Sequence, residues 1–387
     1  MKKIVIFGST GSIGSSLLSI IEKDKKDFKI ELISANKNYK KLINQSRIFN
    51  VKNLIITDLN SFFKAKEILK NTNIIIYNNF ESFKEIFKNK KIDYTMSAIT
   101  GFHGLKPTLD IIKFTNTIAI ANKESIICGW NLIKKNLEKY KTKFIPIDSE
   151  HFSIWSLINK GDYKKPEKIY LTASGGPFRK YPLNKFNSIK PKDALKHPNW
   201  SMGKKISIDS ATMMNKVFEV IEAKKIFNFK YSQLEILIHP DSYLHSIVKF
   251  NNGLTKLLIH DTNMKIPIFN SLYHQSNNAI KSTALNIKIL NNLKLEKINK
   301  KRFPIVKIIR NLPNQDSLFE TIIVTANDYL VNEFLENKIK YTDISKKLFY
   351  ITSLKEFKKF KKIKPKSLND IIKLTDYVSF KMKTMSV

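Results

Sequence analysis

At 387 residues the chain has room for two or three domains of roughly 150 residues each, and 42% hydrophobic with 26% charged residues is ordinary for a soluble globular protein. A net charge of +35 would suit nucleic acid or an acidic membrane. Yet only four of the 68 basic residues are arginine (Arg47, Arg179, Arg302 and Arg310), and the lysines scatter along the whole chain, which argues against nucleic-acid readout and a membrane partner.

Met1 to Gly8 begins like a secretion signal but reaches polar Gly8-Ser9-Thr10-Gly11 at once, and no run approaches ~18 apolar residues, so a cytoplasmic protein is expected. The single cysteine, Cys128, excludes an internal disulfide and a cysteine-built metal site. Ile4–Phe7 is a continuous apolar run, as a parallel strand buried on both faces requires. Gly8, Gly11 and Gly14 follow in a G-x-x-G-x-x-G pattern that opens an amphipathic helix through Leu17, Leu18, Ile20 and Ile21. Strand, glycine loop, helix is the context in which backbone and helix start approach a dinucleotide pyrophosphate. The second strand, Ile30–Ser34, exits into Ala35-Asn36-Lys37-Asn38, a cation and amides with no acid, which favours NADP over NAD. Leu54–Ile56, Ile74–Tyr77, Tyr94–Ala98, Thr117–Ala121 and Phe144–Ile147 continue the alternation of a doubly wound, Rossmann-like α/β sheet to about residue 148. There Asp148-Ser149-Glu150 closes a strand, so residues i and i+2 project to one side and both carboxylates could meet one Mg²⁺ or Mn²⁺, with Glu219 completing the set.

Beyond Asp148 the texture becomes α+β, with strands at 234–238, 246–250 and 255–259 and a mobile loop between Gly175-Gly176-Pro177 and Gly203. In that loop Trp200 and Met202 stand among polar residues, as in a lid. A helix is expected from Ala211, with Ser210 at its start offering an anion site. Asn215 and Glu219 are i,i+4 and Lys216 and Glu219 are i,i+3, so the three share one face. An anion site beside a carboxylate suggests a phosphorylated substrate held next to a metal. Residues 277–301 read as a polar linker and 302–387 as a helical domain, with Ile322, Ile323, Ala326, Leu330 and Phe334 on its apolar stripe. The expected divisions are therefore 1–148, 149–276 with a lid at about 174–204, 277–301 and 302–387.

The strings G-S-T-G-S-I-G (8–14), G-L-K-P-T-L (104–109), A-N-K-E-S (121–125), D-S-E-H (148–151), T-A-S-G-G-P-F-R (172–179) and the twenty residues His197–Lys216 resemble the 1-deoxy-D-xylulose 5-phosphate reductoisomerase family, as do I-H-P (238–240), Ser242 and His245. The resemblance spans residues 4 to about 270. It implies an NADPH-binding domain, a central catalytic domain and a helical C-terminal domain, in a homodimer that reduces and isomerises a phosphorylated sugar. It implies that Thr10, Gly11, Ser12 and Ile13 contact the NADPH pyrophosphate side, that Ala35, Lys37 and Asn38 hold the 2′-phosphate ribose, and that Asn122, Glu124 and Gly203 meet the cofactor further along. Asp148, Glu150 and Glu219 match the metal ligands, for Mn²⁺ or Mg²⁺ with Co²⁺ as a third candidate. Ser174, Ser210, Asn215 and Lys216 match the phosphate site, with His197 beside it. Lys123 and Ser149 would touch the substrate backbone, and Trp200 and Met202 would cover it. Ala35-Asn36, Asp241 and Asp328 depart from the family's usual residues. Another NADP-dependent oxidoreductase acting on a small phosphorylated substrate, or a lysine-rich binding protein, would account for part of these features.

Overall fold

The computed structural model describes residues 1–88, 90–158, 165–200 and 202–385. Contacts group the chain into two compact units. The first comprises Met1–Ser125, Ile133–Phe152 and Asn263–Lys281; the second comprises Ile126–Leu132, Ser153–Thr262 and Ser282–Val387. This grouping differs from the four consecutive segments read from the sequence, because packing joins pieces that are distant in the chain.

The first unit runs β1 (Lys2–Phe7), α1 (Ser12–Ile21), β2 (Phe28–Ala35), α2 (Tyr39–Phe49), β3 (Asn53–Ile56), α3 (Leu59–Leu69), β4 (Ile75–Tyr77), α4 (Phe83–Ile86), β5 (Ile92–Ser97), α5 (Leu105–Ile111), β6 (Thr115–Ile120), α6 (Lys123–Tyr140) and β7 (Lys143–Pro146). Its strands form a seven-stranded parallel sheet in the order β4-β3-β2-β1-β5-β6-β7. The order reverses between β1 and β5, and ligands of such sheets bind outside the carboxyl ends of the strands at that switch point. Ile4, Val5, Ile6 and Phe7 are all fully buried, as the unbroken apolar run required. Several strands begin before the apolar run does. Lys2 and Lys3, for example, are held by backbone pairing to Phe28 and Lys29 whatever their side chains prefer. Far along the chain, α11 (Lys265–Leu272) returns to this unit and packs on α1, with Ile268 and Leu272 in its core.

α7 (Ser149–Leu157) contributes residues to both units. The second unit continues with β8 (Pro166–Ala173), α8 (Pro191–Ala194), α9 (Lys204–Thr212), α10 (Met214–Phe227), β9 (Leu234–Ile238), β10 (Leu244–Phe250), β11 (Thr255–Ile259), α12 (Ile287–Asn291) and β12 (Glu296–Lys297). Its sheet has the order β11-β10-β8-β9-β12 and is mixed, with β8 and β9 parallel and the other pairs antiparallel. The central strand, β8, was not expected. Its charged start, Glu167 and Lys168, hides an alternation in which Ile169 and Leu171 are fully buried. The stretch read as a linker supplies β12, which pairs with β9.

α13 (Phe319–Leu335), α14 (Tyr341–Ser353), α15 (Lys355–Lys358) and α16 (Leu368–Thr384) complete this unit, with α13 packed against α14 and α16. Ile322, Ile323, Ala326, Leu330 and Phe334 are all buried, as the periodicity of the sequence indicated. Among the described residues no helix is long and apolar enough to cross a membrane.

Candidate functional site

In the first unit the chain leaves β1 through Gly8, whose φ is +70° and whose hypothetical Cβ would lie 2.6 Å from the Ala98 carbonyl oxygen. Gly14 brings α1 against the same loop, where a Cβ would meet Ser9 Cα at 2.4 Å. Gly8 N–H donates to Ser34 Oγ (3.1 Å), while Ser9 Oγ donates to Gln45 (2.7 Å), so the loop is tied to β2 and α2. α1 starts after Gly11 with no side-chain cap and no acid in its first turn. Its first amides, with Thr10 and Ile13 half-buried and Gly11 and Ser12 exposed, suit a pyrophosphate. Lys41, which sequence reasoning passed over, adds a cation at this point. Its Nζ donates to the Thr10 carbonyl (2.9 Å) and to Ser15 Oγ (2.8 Å) from the first turn of α2. Only the tertiary fold brings it there.

Ala35 ends β2 and is buried, whereas Lys37 and Asn38 are exposed just beyond it. Asn38 caps α2 by accepting from Lys41 N–H (3.2 Å), and the Lys37 carbonyl accepts from Tyr39 N–H and Ser61 Oγ, so the turn is well held. Asp58, across from Lys37, is engaged in capping α3 through Ser61 N–H at 2.9 Å, and hydrogen bonds from Ser61 hold its carboxyl below the usual range.

Asn122 accepts from Ser125 N–H (2.7 Å) to cap α6 and donates to the Ile99 and Gly101 carbonyls, joining the ends of β5 and β6. Lys123 and Glu124 follow it and are buried. Lys123 Nζ lies 2.7 Å from Asp148 Oδ2, and Ser149 Oγ donates to Glu150 Oε2 at 2.6 Å. A carboxylate oxygen of Asp148 and one of Glu150 lie within 4.8 Å of each other. The reason differs from the strand alternation expected. β7 ends at Pro146, and Asp148 precedes α7, its carbonyl accepting from Phe152 N–H (2.8 Å), so a helix start brings the two acids together. Fully buried His151 stands 3.9 Å from Asp148 Oδ2. These oxygen donors suit a hard divalent cation.

In the second unit the helix expected from Ala211 is two helices. Met213, buried and at φ +70°, breaks the run, and its N–H bonds the Ser210 carbonyl at 3.1 Å. Ser210 therefore lies in the last turn of α9 and not at a helix start, and the anion site argued from free amides there is corrected. The αL conformation is costly for a side chain like Met and is kept by its packing. The Ser210 backbone nonetheless lies close to the loop after Ser174, since a Cβ on Gly176 would lie 3.0 Å from its carbonyl oxygen.

Beyond the break, Asn215 Nδ2 donates to Glu219 Oε1 and Lys216 Nζ lies against Glu219 Oε2, each at 2.5 Å, which is the shared face inferred from spacing. Lys216 also donates to the Thr172 carbonyl (2.5 Å) at the end of β8. From the next residues, Ser174 Oγ receives Gly176 N–H at 3.1 Å and lies 3.1 Å from His197 Nε2. Burial first, and the Lys216 ammonium second, push His197 down to about 4. The Ser174 hydroxyl, the His197 imidazole and the Lys216 ammonium are thus grouped as a candidate bowl, and donors of this kind suit a phosphate. Half-buried Trp200 rests edge-on against His245, their centroids 6.3 Å apart. Met202 is half-buried and Gly203 is the residue just before α9; Ser201, within the expected lid, lies outside the described residues.

The C-terminal helices carry no site residue predicted from sequence, yet they brace α9. Asn327 Nδ2 donates to Asp209 (2.7 Å) and Tyr341 Oη to the Ala211 carbonyl (2.6 Å), both groups buried.

A parallel dinucleotide fold with an open helix start, and a cation in place of an acid after its second strand, is the frame of an NADP-dependent oxidoreductase. Family models described as 1-deoxy-D-xylulose 5-phosphate reductoisomerase match residues 4–129, and those of its C-terminal domains match 144–227 and 260–378. The chain is 67% identical over 388 residues to the 1-deoxy-D-xylulose 5-phosphate reductoisomerase of Pelagibacter ubique (strain HTCC1062), covering 100% of both. It is 38% identical to that of Clostridium novyi (strain NT), over 89% of this chain and 90% of the relative. Among solved structures it is similar to the Zymomonas mobilis enzyme in complex with NADPH (TM-score 0.87, 30% identity, 100% and 99% covered). A DOX-P reductoisomerase in complex with NADPH, fosmidomycin and magnesium also matches (TM-score 0.92, 29% identity, 100% and 98% covered). The chain belongs to the 1-deoxy-D-xylulose 5-phosphate reductoisomerase family.

Proposed function

We propose that the chain converts 1-deoxy-D-xylulose 5-phosphate to 2-C-methyl-D-erythritol 4-phosphate with NADPH and a divalent cation, the committed step toward isoprenoid precursors. The observation that carries the residue assignment is α10 itself. Lys216 and Glu219 stand one turn apart on one face of α10, which supports a reading in which one helix serves both the substrate's phosphate and its reacting end. Ser174, His197, Ser210, Asn215 and Lys216 bind the phosphate. Asp148, Glu150 and Glu219 hold Mg²⁺ or Mn²⁺, which supplies Lewis acidity at the ketone and adjacent hydroxyl oxygens. Lys123 and Ser149 orient the sugar's polar backbone. Trp200 and Met202 cover it and exclude water.

On the cofactor side, Thr10, Gly11, Ser12 and Ile13 present amides to the pyrophosphate. Lys37, Asn38 and the Ala35 turn take the 2′-phosphate, and Asn122, Glu124 and Gly203 flank the nicotinamide half. NADPH supplies the hydride. A cytoplasmic homodimer is the form in which this activity is expected, decided by light scattering and cell fractionation.

The test is NADPH oxidation with deoxyxylulose phosphate, with and without Mg²⁺ or Mn²⁺. Metal-independent turnover would favour a different NADP-dependent reductase. Asp148→Asn or Glu219→Gln abolishes turnover while leaving NADPH binding intact, since removing an oxygen ligand weakens a hard-cation site and leaves the nucleotide pocket alone. Near-normal turnover by either variant at limiting Mn²⁺ removes that residue from the ligand set.

A further inference from the structure

His197 makes contacts on both edges of its ring, and their polarity determines where its proton sits. Nδ1 lies 3.2 Å from Asn199 N and 3.0 Å from Trp200 N. Both partners are backbone N–H groups, which only donate, so Nδ1 must be the bare acceptor. With its pKa pushed down to about 4, the ring carries one proton at neutral pH, and that proton is left to Nε2. Nε2–H then donates to Ser174 Oγ at 3.1 Å. Ser174 Oγ already accepts from Gly176 N–H (3.1 Å), so its own hydroxyl proton is directed outward.

The loop that presents these N–H groups is fastened by one side chain. Asn199 Nδ2 donates to the Pro240 carbonyl (2.6 Å) and to Ser242 Oγ (2.8 Å) in the turn after β9. That turn is itself closed by Ser242 N–H to the His239 carbonyl (3.1 Å), with Ser242 at φ +53°. Next in sequence, Trp200 meets the His245 ring in a T-shaped arrangement.

We infer that Asn199 is a positioning residue that fastens the 197–200 loop so that its backbone fixes His197 as the Nε2–H tautomer, making one imidazole the link between the phosphate bowl and Trp200. This rests on the reading of Ser174 and His197 as phosphate ligands. Donor chains of this kind polarise one another, so the N–H groups of residues 199 and 200, the imidazole and the Ser174 hydroxyl all point toward an incoming anion. The other tautomer would set an N–H against two N–H groups and turn a lone pair on the bowl. Asn199 touches no reacting atom; it acts through His197.

The test uses the full-length protein with ¹⁵N-labelled histidine, inorganic phosphate as the probe, and His197→Gln to assign the resonance. Wild type is expected to show the Nε2–H pattern for His197, and Asn199→Ala a mixture of tautomers. The variant should bind inorganic phosphate about tenfold more weakly and show a matching rise in KM for the phosphorylated substrate, the loss expected of one charge-assisted donor set out of place. NADPH affinity stays unchanged, and the Trp200 emission response to phosphate is lost. An Nδ1–H pattern in wild type overturns the inference. So does an Asn199→Ala protein with the wild-type tautomer and wild-type phosphate affinity, whatever its melting temperature. Failure of wild type to bind phosphate, with the Nε2–H pattern present, instead overturns the phosphate reading on which the link depends.

Discussion

Gly14→Ala isolates the cofactor end of the site. The added methyl would lie 2.4 Å from Ser9 Cα and 2.6 Å from the Gly8 carbonyl oxygen, both backbone atoms of the glycine loop. Carbon atoms rest at about 3.5–4.0 Å, so α1 has to retreat from the loop by about 1 Å. Two costs follow. Overpacking a buried position is worth about 1–3 kcal/mol of stability. The same retreat carries the Ser12 and Ile13 amides away from the pyrophosphate, and a misplacement of about 1 Å can cost on the order of a hundredfold in a positioned site. The expected outcome is NADPH affinity weakened ten- to a hundredfold, about 1.4–2.7 kcal/mol, read by nucleotide fluorescence titration. Inorganic phosphate binding should be unchanged, because Ser174, His197 and Lys216 belong to the second unit and the substitution lies in the first. A Gly14→Ala protein that binds NADPH as wild type does would refute the close approach of α1 as the reason for this glycine, and with it the loop's assignment.

Lys37→Asp should lower the NADPH/NADH preference in kcat/KM by on the order of tenfold, since it places a carboxylate against the 2′-phosphate; an unchanged ratio moves that contact to another cation, such as Lys41, whose Nζ reaches the glycine loop. Trp200→Ala should reduce turnover more than tenfold but cost no more than about 1–2 kcal/mol of stability, because the indole is only half-buried; a large fall in melting temperature with normal turnover would assign it to packing alone. His197 sets a pH dependence whose sign is determined. Its folded value, about 4, lies below its ordinary 6.5, so the native state binds fewer protons than the unfolded chain between these values. Its contribution to stability is complete above about pH 6.5 and is lost as pH falls toward 4. The melting-temperature difference between wild type and His197→Gln should narrow over that window, and a constant difference would show that the ring does not titrate differently on folding.

Much of the local structure around the candidate site was legible because its signals are local. A continuous apolar run, glycines at fixed offsets and an exit turn without an acid each depend on a few neighbouring residues, and Ile4–Gly14 and Ala35–Asn38 stand where those signals placed them. The Asn215–Lys216–Glu219 face followed from helix geometry alone, and it held because all three residues lie beyond the Met213 break. The break was illegible, since αL is unusual for Met and only packing around residue 213 compensates its cost. It moved Ser210 from a helix start to a helix end. The two acids at 148 and 150 were read for a strand and belong to a helix start; the turn into α7, not the i,i+2 alternation, brings them together.

Sequence by itself thus determined the elements whose periodicity is strong and the chemistry written in contiguous strings. Tertiary structure alone decided what depends on partners distant in the chain: the pairing that makes Pro166–Ala173 a central strand, and the return of Lys265–Leu272 to the first unit. It also decided the reach of Lys41 to the glycine loop, and the ties from Asn327 and Tyr341 that brace α9. A hydrogen bond between residues 118 or 130 positions apart leaves no local pattern, because its energy is gained only after the intervening chain has folded.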